Sequence, residues 1–129
     1  MTVAGLLLAA GAGRRMGGPK ALLRHPDGVT WVARAVRVLR EGGCDPVLVV
    51  VGAQADAVEA DVMADGVDCV SVVRAAGWAE GMGASLRAGV EAVEQGPGEA
   101  VVIALVDTPG VTADVVRRLC AATRARAQV

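Results

Sequence analysis

The stretch Val3-Ala4-Gly5-Leu6-Leu7-Leu8-Ala9-Ala10-Gly11-Ala12-Gly13-Arg14-Arg15-Met16-Gly17-Gly18-Pro19-Lys20 changes character halfway along. Residues 3–8 are apolar without alternation, which predicts a strand buried on both faces of a parallel sheet. Residues 11–20 carry three cations in a run punctuated by glycine and proline, and such a run resists regular helix. Glycine also lets backbone N–H groups turn toward a ligand with no side chain in the way. An apolar strand that opens into a glycine-rich, cationic loop suits a polyphosphate.

Outward from that stretch, apolar runs alternate with helical patterns. Val32, Ala35, Val36 and Leu39 fall at i, i+3, i+4 and i+7, with Arg34, Arg37 and Arg40 off that stripe and Gly42-Gly43 as a stop. Residues 46–51 predict a second strand, 55–63 a short helix, and 67–73 a third, β-branched strand. A second glycine-punctuated loop over 74–83 leads to a helix in which Leu86, Gly89, Val90 and Val93 share a face. Residues 100–106 give the strongest strand signal and stop at Asp107-Thr108-Pro109-Gly110. Thr112 is placed to cap a last helix, with Asp114 in its first turn and Arg124 and Arg126 near its end, all favourable to the helix dipole.

This alternation predicts an α/β fold, a Rossmann-like, doubly wound, mainly parallel sheet in three α/β/α layers. With strand order 3-2-1-4, the first and fourth strands are neighbours at the switch point, where ligands bind beyond the carboxyl ends. The glycine loop and Asp107 then face one crevice.

A chain of 129 residues, 53% hydrophobic and 21% charged, is sized for a single folded domain over 1–129. A net charge of −1 offers no basic stripe for nucleic acid or an anionic membrane. Cys44, Cys69 and Cys120 fit neither a disulfide framework nor zinc spacing, so reduced thiols and a cytoplasmic location are expected. The apolar start lacks a basic leader and is too short to span a bilayer. With no Phe and no Tyr, the core rests on Val, Leu and Ala, and only Trp31 or Trp78 can stack on a base. The lone His25, in a Pro-Asp-Gly turn, is expected to be exposed and argues against Ser-His or histidine-rich metal chemistry.

Two familiar phosphate motifs fail. A P-loop needs Gly-Lys before Ser or Thr, but Lys20 stands between Pro19 and Ala21. A dinucleotide fingerprint needs a glycine where Met16 stands, and an acid after the second strand, where the chain reads Val51-Gly52. The span from Leu8 to Lys20 instead resembles the signature L-A-[AG]-G-x-x-x-R-M-G-x-x-K of the MobA-like nucleotidyltransferases, with the nearest match to the molybdenum cofactor cytidylyltransferases. Trp78-Ala79-Glu80-Gly81-Met82-Gly83-Ala84-Ser85-Leu86-Arg87-Ala88-Gly89 resembles their second motif. Asp107-Thr108-Pro109 resembles their D-x-P metal motif.

The resemblance implies the nucleotide-diphospho-sugar transferase type of the fold and a set of roles. Arg15 and Lys20 would hold a triphosphate, and Leu8, Ala9, Ala10, Gly11 and Gly13 would line the base and phosphates. Gly81 and Ser85 would lie by the base or ribose, and Asp107 would bind Mg²⁺. Ala9-Ala10-Gly11 accompanies CTP in this family, whereas Ala-Gly-Gly accompanies GTP. The acceptor would be a phosphorylated small molecule such as molybdopterin cofactor. Attack by its phosphate on the α-phosphorus needs no protein base, because that phosphate ionises with a pKa of roughly 6. Alignment and charge neutralisation remain, and Arg15, Lys20 and Asp107 are the residue types for both.

Each of these residues also has a structural reading. Lys20 can be a solvated loop lysine, Asp107 a turn former with Pro109, and Ser85 a helix-start hydroxyl. Trp78 reads first as packing, Met16 and Met82 as apolar fillers, and Arg14 as solvent-facing. The family's frequent Asn before the tryptophan is Ala75 here, and its G-H-P and G-D-x-G motifs have no counterpart before Val129. That implies a domain without the family's C-terminal part and an uncovered surface favouring a homo-oligomer or a partner. Transfer to a sugar phosphate and a noncatalytic nucleotide-binding module are the alternatives.

Overall fold

Every residue of β1 (Val3–Ala9) is buried in the computed structural model, which describes residues 2–12 and 18–127. Gly13, Arg14, Arg15 and Met16 lie outside the described residues. β1 is buried because it pairs parallel on both edges, with β2 (Val47–Val51) on one side and β4 (Ala100–Leu105) on the other. β3 (Val70–Arg74) pairs parallel with β2, so the order is β3-β2-β1-β4, the arrangement the alternation predicts. β3 begins at Val70, three residues later than its β-branched run, because Cys69 holds a left-handed φ of 57° that extended backbone does not tolerate. β4 stops at Leu105 because the N–H and hydroxyl of Thr108 both donate to its carbonyl and close a turn.

Successive β1 side chains face opposite layers. Val3, Leu7 and Ala9 meet Val32, Val36 and Leu39 of α1 (Trp31–Glu41), Val58 and Val62 of α2 (Ala55–Ala64), and Val116 of α4 (Ala113–Ala127). Leu6, Leu8 and Ala10 meet Leu48, Val50 and the Leu86, Val90 and Val93 face of α3 (Met82–Glu94). The result is a three-layer α/β/α sandwich with a core made of Val, Leu and Ala. α3 can sit against the sheet because Gly89 has no side chain. A Cβ there would lie 2.7 Å from Leu6 Cδ1 and 2.9 Å from Val50 Cγ2.

The helix starts follow the sequence. The hydroxyl of Thr30 accepts from the Ala33 N–H at 3.2 Å and donates to Asp61, which ties α1 to α2. Thr112 accepts from Val115 N–H at 3.3 Å at the start of α4. The three off-stripe arginines of α1 each meet an aspartate, Arg34 with Asp27, Arg37 with Asp65 and Arg40 with Asp68. Hydrogen bonding from Arg37 holds the Asp65 carboxyl below its ordinary 3.8. A depressed carboxylate stabilises the fold above its unfolded pKa and loses that contribution as pH falls through the folded value. Arg37→Ala is therefore expected to cost up to about 1 kcal/mol near neutral pH, and nothing well below pH 3.8. Urea unfolding at the two pH values checks this.

Cys44 and Cys120 are free and buried with sulfurs 3.9 Å apart. Burial, and then the neighbouring Cys120, push the Cys44 thiol up to about 12, so it behaves as a small apolar group. His25 differs from expectation. It is half-buried with its ring centroid 6.0 Å from that of Trp31, and its Nε2 is buried with no hydrogen-bond partner among the described residues. The turn folds back onto the first residue of α1, a tertiary contact that the local turn chemistry does not reveal. Among the described residues, no helix is long and apolar enough to cross a membrane.

Candidate active site

The carboxyl ends of β1 and β4 lie side by side, with Leu8 in register with Leu105 and the Val106 N–H donating to the Leu8 carbonyl at 3.2 Å. Beyond them opens a crevice of about 440 Å³, within the range of small-molecule sites. Its floor is Leu8, Ala10, Gly11 and Ala12, and its walls include Lys20, Trp78, Gly81, Met82, Ser85 and Asp107.

Lys20 arrives there because of its neighbour. Ala21 is buried in the α1-side core and anchors the 3-10 turn Lys20–Leu22, which the Leu23 N–H closes on the Lys20 carbonyl at 3.1 Å. Asp107 follows β4 within the turn that Thr108 closes. The two side chains meet across the crevice, Nζ to Oδ2 at 3.5 Å, with exposures of 39% and 40%. A pair so exposed contributes little to stability, about 0–1 kcal/mol. Its significance is positional, since it sets a cation and a hard oxygen ligand at one spot.

The opposite wall is the start of α3. Gly81 precedes it at φ 119°, and among the described residues no side chain caps its first N–H groups. Those donors and the positive end of the helix dipole suit an anionic or carbonyl partner. Ser85 is buried in the first turns, beside the crevice.

Trp78 forms the third wall and depends on Gly52, at the end of β2. A Cβ on Gly52 would stand 2.5 Å from both Cβ and Cγ of Trp78. The adjacent Ala53 N–H donates to the Ala10 carbonyl at 3.0 Å, so the same segment is tied to the chain just beyond β1. Gly52→Ala is expected to displace the indole, shift its fluorescence and lower stability by about 1–3 kcal/mol, as overpacking does. An unchanged emission spectrum would show that the seat is not this tight.

Of the residues proposed from sequence, Leu8, Ala10, Gly11, Lys20, Gly81, Ser85 and Asp107 line this one crevice. Ala9 does not, because strand alternation turns its side chain into the α1-side core. Gly13 and Arg15 lie outside the described residues. Sequence reasoning does not single out Leu105 and Val106 as lining, and it reads Met82 as a filler, although Met82 is 60% exposed at the crevice. Ala75, in the place of the family's Asn, is packed in the α3-side core.

The residues present fit a divalent cation shared with a ligand. Among the described residues, no group of three or more His, Cys, Asp or Glu could hold a metal alone. A single carboxylate plus phosphate oxygens and water is a common Mg²⁺ environment.

The model of the MobA-like NTP transferase domain matches residues 5–129. The chain belongs to that family. Nicotine blue oxidoreductase of Paenarthrobacter nicotinovorans is 42% identical over 123 residues, covering 95% of this chain and 57% of that protein. A probable molybdenum cofactor guanylyltransferase of Opitutus terrae is 54% identical over 48 residues, covering 37% of this chain and 23% of that protein. A solved nucleotidyl transferase from Methanothermobacter thermautotroptrophicus superposes with a TM-score of 0.79 at 32% identity, over 93% of this chain and 57% of that one. The MobA-like chain thus spans little more than half the length of the long relatives it matches.

Proposed function

We propose that this MobA-like chain, acting as a single domain in the cytoplasm, binds a nucleoside triphosphate and transfers its nucleoside monophosphate to a phosphorylated acceptor, releasing pyrophosphate. CTP is the favoured nucleotide, from Ala9-Ala10-Gly11, and molybdopterin cofactor the favoured acceptor. The observation that carries the reading is the meeting of Lys20 and Asp107 at 3.5 Å in a crevice at the sheet's switch point.

In this reading, Leu8, Ala9, Ala10, Gly11 and Gly13 present backbone to the nucleotide, and Gly81 and Ser85 hold base or ribose. Arg15 and Lys20 hold the triphosphate and neutralise charge as pyrophosphate departs. The attacking phosphate is already ionised, so no side chain need take its proton. Asp107 would hold Mg²⁺, which when bound would supply Lewis-acid charge neutralisation to the phosphates.

The test is a pyrophosphate-release screen of CTP and GTP with Mg²⁺ against molybdopterin and a panel of sugar phosphates. Release that requires CTP and the pterin is the expected result. GTP in its place, or a sugar phosphate, would revise the substrate, and binding without release would make the chain a noncatalytic nucleotide-binding module.

The 42% identity to a protein named as an oxidoreductase favours a second reading, oxidoreductase chemistry in the same crevice. Oxidation of a reduced nicotinamide dinucleotide by an added dye, in the absence of NTP, would favour it over transfer.

A further inference from the structure

We propose that Lys20 is a built-in counter-ion that occupies the cation position at Asp107, so that a divalent cation enters the crevice with a nucleotide and not ahead of it. The inference rests on the nucleotidyltransferase reading and concerns how that site is loaded. Lys20 Nζ stands 3.5 Å from Asp107 Oδ2, and these are the two charged side chains lining the crevice among the described residues. A carboxylate already facing an ammonium presents little net charge to a lone cation, and the ammonium repels it. No further acid or histidine is grouped there, among the described residues, to complete a coordination shell. A strongly hydrated cation exchanges its water reluctantly for a single ligand.

A triphosphate changes both conditions at once. Its oxygens complete the shell of a cation at Asp107, and its charge gives Lys20 a stronger partner than one carboxylate. Lys20 carries its charge on a flexible four-carbon stem, and at 39% and 40% exposure the pair is held weakly enough to exchange. The handover moves an ammonium and a cation; no proton is transferred and no covalent bond changes. The uncharged start of α3 across the crevice adds no competing carboxylate.

The test is the affinity for Mn²⁺, read from its electron paramagnetic resonance signal, for the parent, Lys20→Met and Lys20→Met/Asp107→Asn proteins. It is made without nucleotide and then with the nonhydrolysable CTP analogue CMPCPP. Without nucleotide, Lys20→Met is expected to bind Mn²⁺ roughly threefold to tenfold more tightly than the parent, the scale of one exposed charge acting on a doubly charged ion. Asp107→Asn should erase that gain, and CMPCPP should tighten Mn²⁺ more in the parent than in Lys20→Met. A gain in affinity cannot come from misfolding. Equal or weaker Mn²⁺ binding by Lys20→Met, including no binding by either protein, would overturn the proposal. Failure of CMPCPP to bind the parent with Mn²⁺ would sink the nucleotidyltransferase reading instead, while the comparison without nucleotide would still decide the role of Lys20.

Discussion

Asp107→Ala is expected to lower the rate of pyrophosphate release by about two to three orders of magnitude, the usual effect of removing one electrostatic stabiliser of a charged transition state. No other carboxylate lines the crevice among the described residues, so no neighbour can take its place. Nucleotide binding should survive in part, because the glycine loop, Lys20 and the open start of α3 remain. Stability should hardly change, since the ion pair with Lys20 is exposed and weak. Asp107→Asn should behave alike, because it keeps the shape and loses the charge. A rate assay with a thermal melt of each variant separates these effects. A variant that turned over normally would show that the carboxylate only shapes the turn before Pro109.

The second large effect lies in the core. Leu6→Ala is expected to destabilise the protein by about 2–5 kcal/mol, since Leu6 is fully buried between β1 and α3. Gly89→Ala is expected to cost about 1–3 kcal/mol through overpacking, offset by nearly 1 kcal/mol of better helix propensity. The two changes meet at one place, because the new methyl at 89 would press on the Leu6 side chain. The double variant should therefore lose less than the sum of the singles, with a coupling of about 0.5–3 kcal/mol. Urea unfolding of all three variants measures it. Strict additivity would mean that α3 shifts away from the sheet rather than resting on Leu6.

The unbroken apolar run of β1 announces two buried faces, and the alternation of strands with helices sets the sheet order around it. Lys20 and Asp107 converge because both follow carboxyl ends of neighbouring parallel strands, and the buried Ala21 fixes where Lys20 stands within that crevice. The start of β3 is not legible, because Val67 is β-branched whereas the left-handed φ at Cys69 is set by the turn. The roles of Gly52 and Gly89 are hidden from the sequence, since each depends on what approaches from a distant element. Met82 reads as a filler because it is an apolar residue inside a motif, while only the helix's placement reveals that it faces the crevice. Ala9 shows the reverse, a motif residue whose side chain the strand's period-two geometry commits to the opposite layer.

The most direct measurement of the central claim is a calorimetric titration of CTP with Mg²⁺ into the parent protein and into Lys20→Ala. Saturable binding to the parent, weakened about tenfold or more by loss of a charge-assisted phosphate contact in Lys20→Ala, is the expected result. Absence of binding by CTP and GTP alike, or equal affinity in the two proteins, would contradict the assignment of this crevice to a triphosphate.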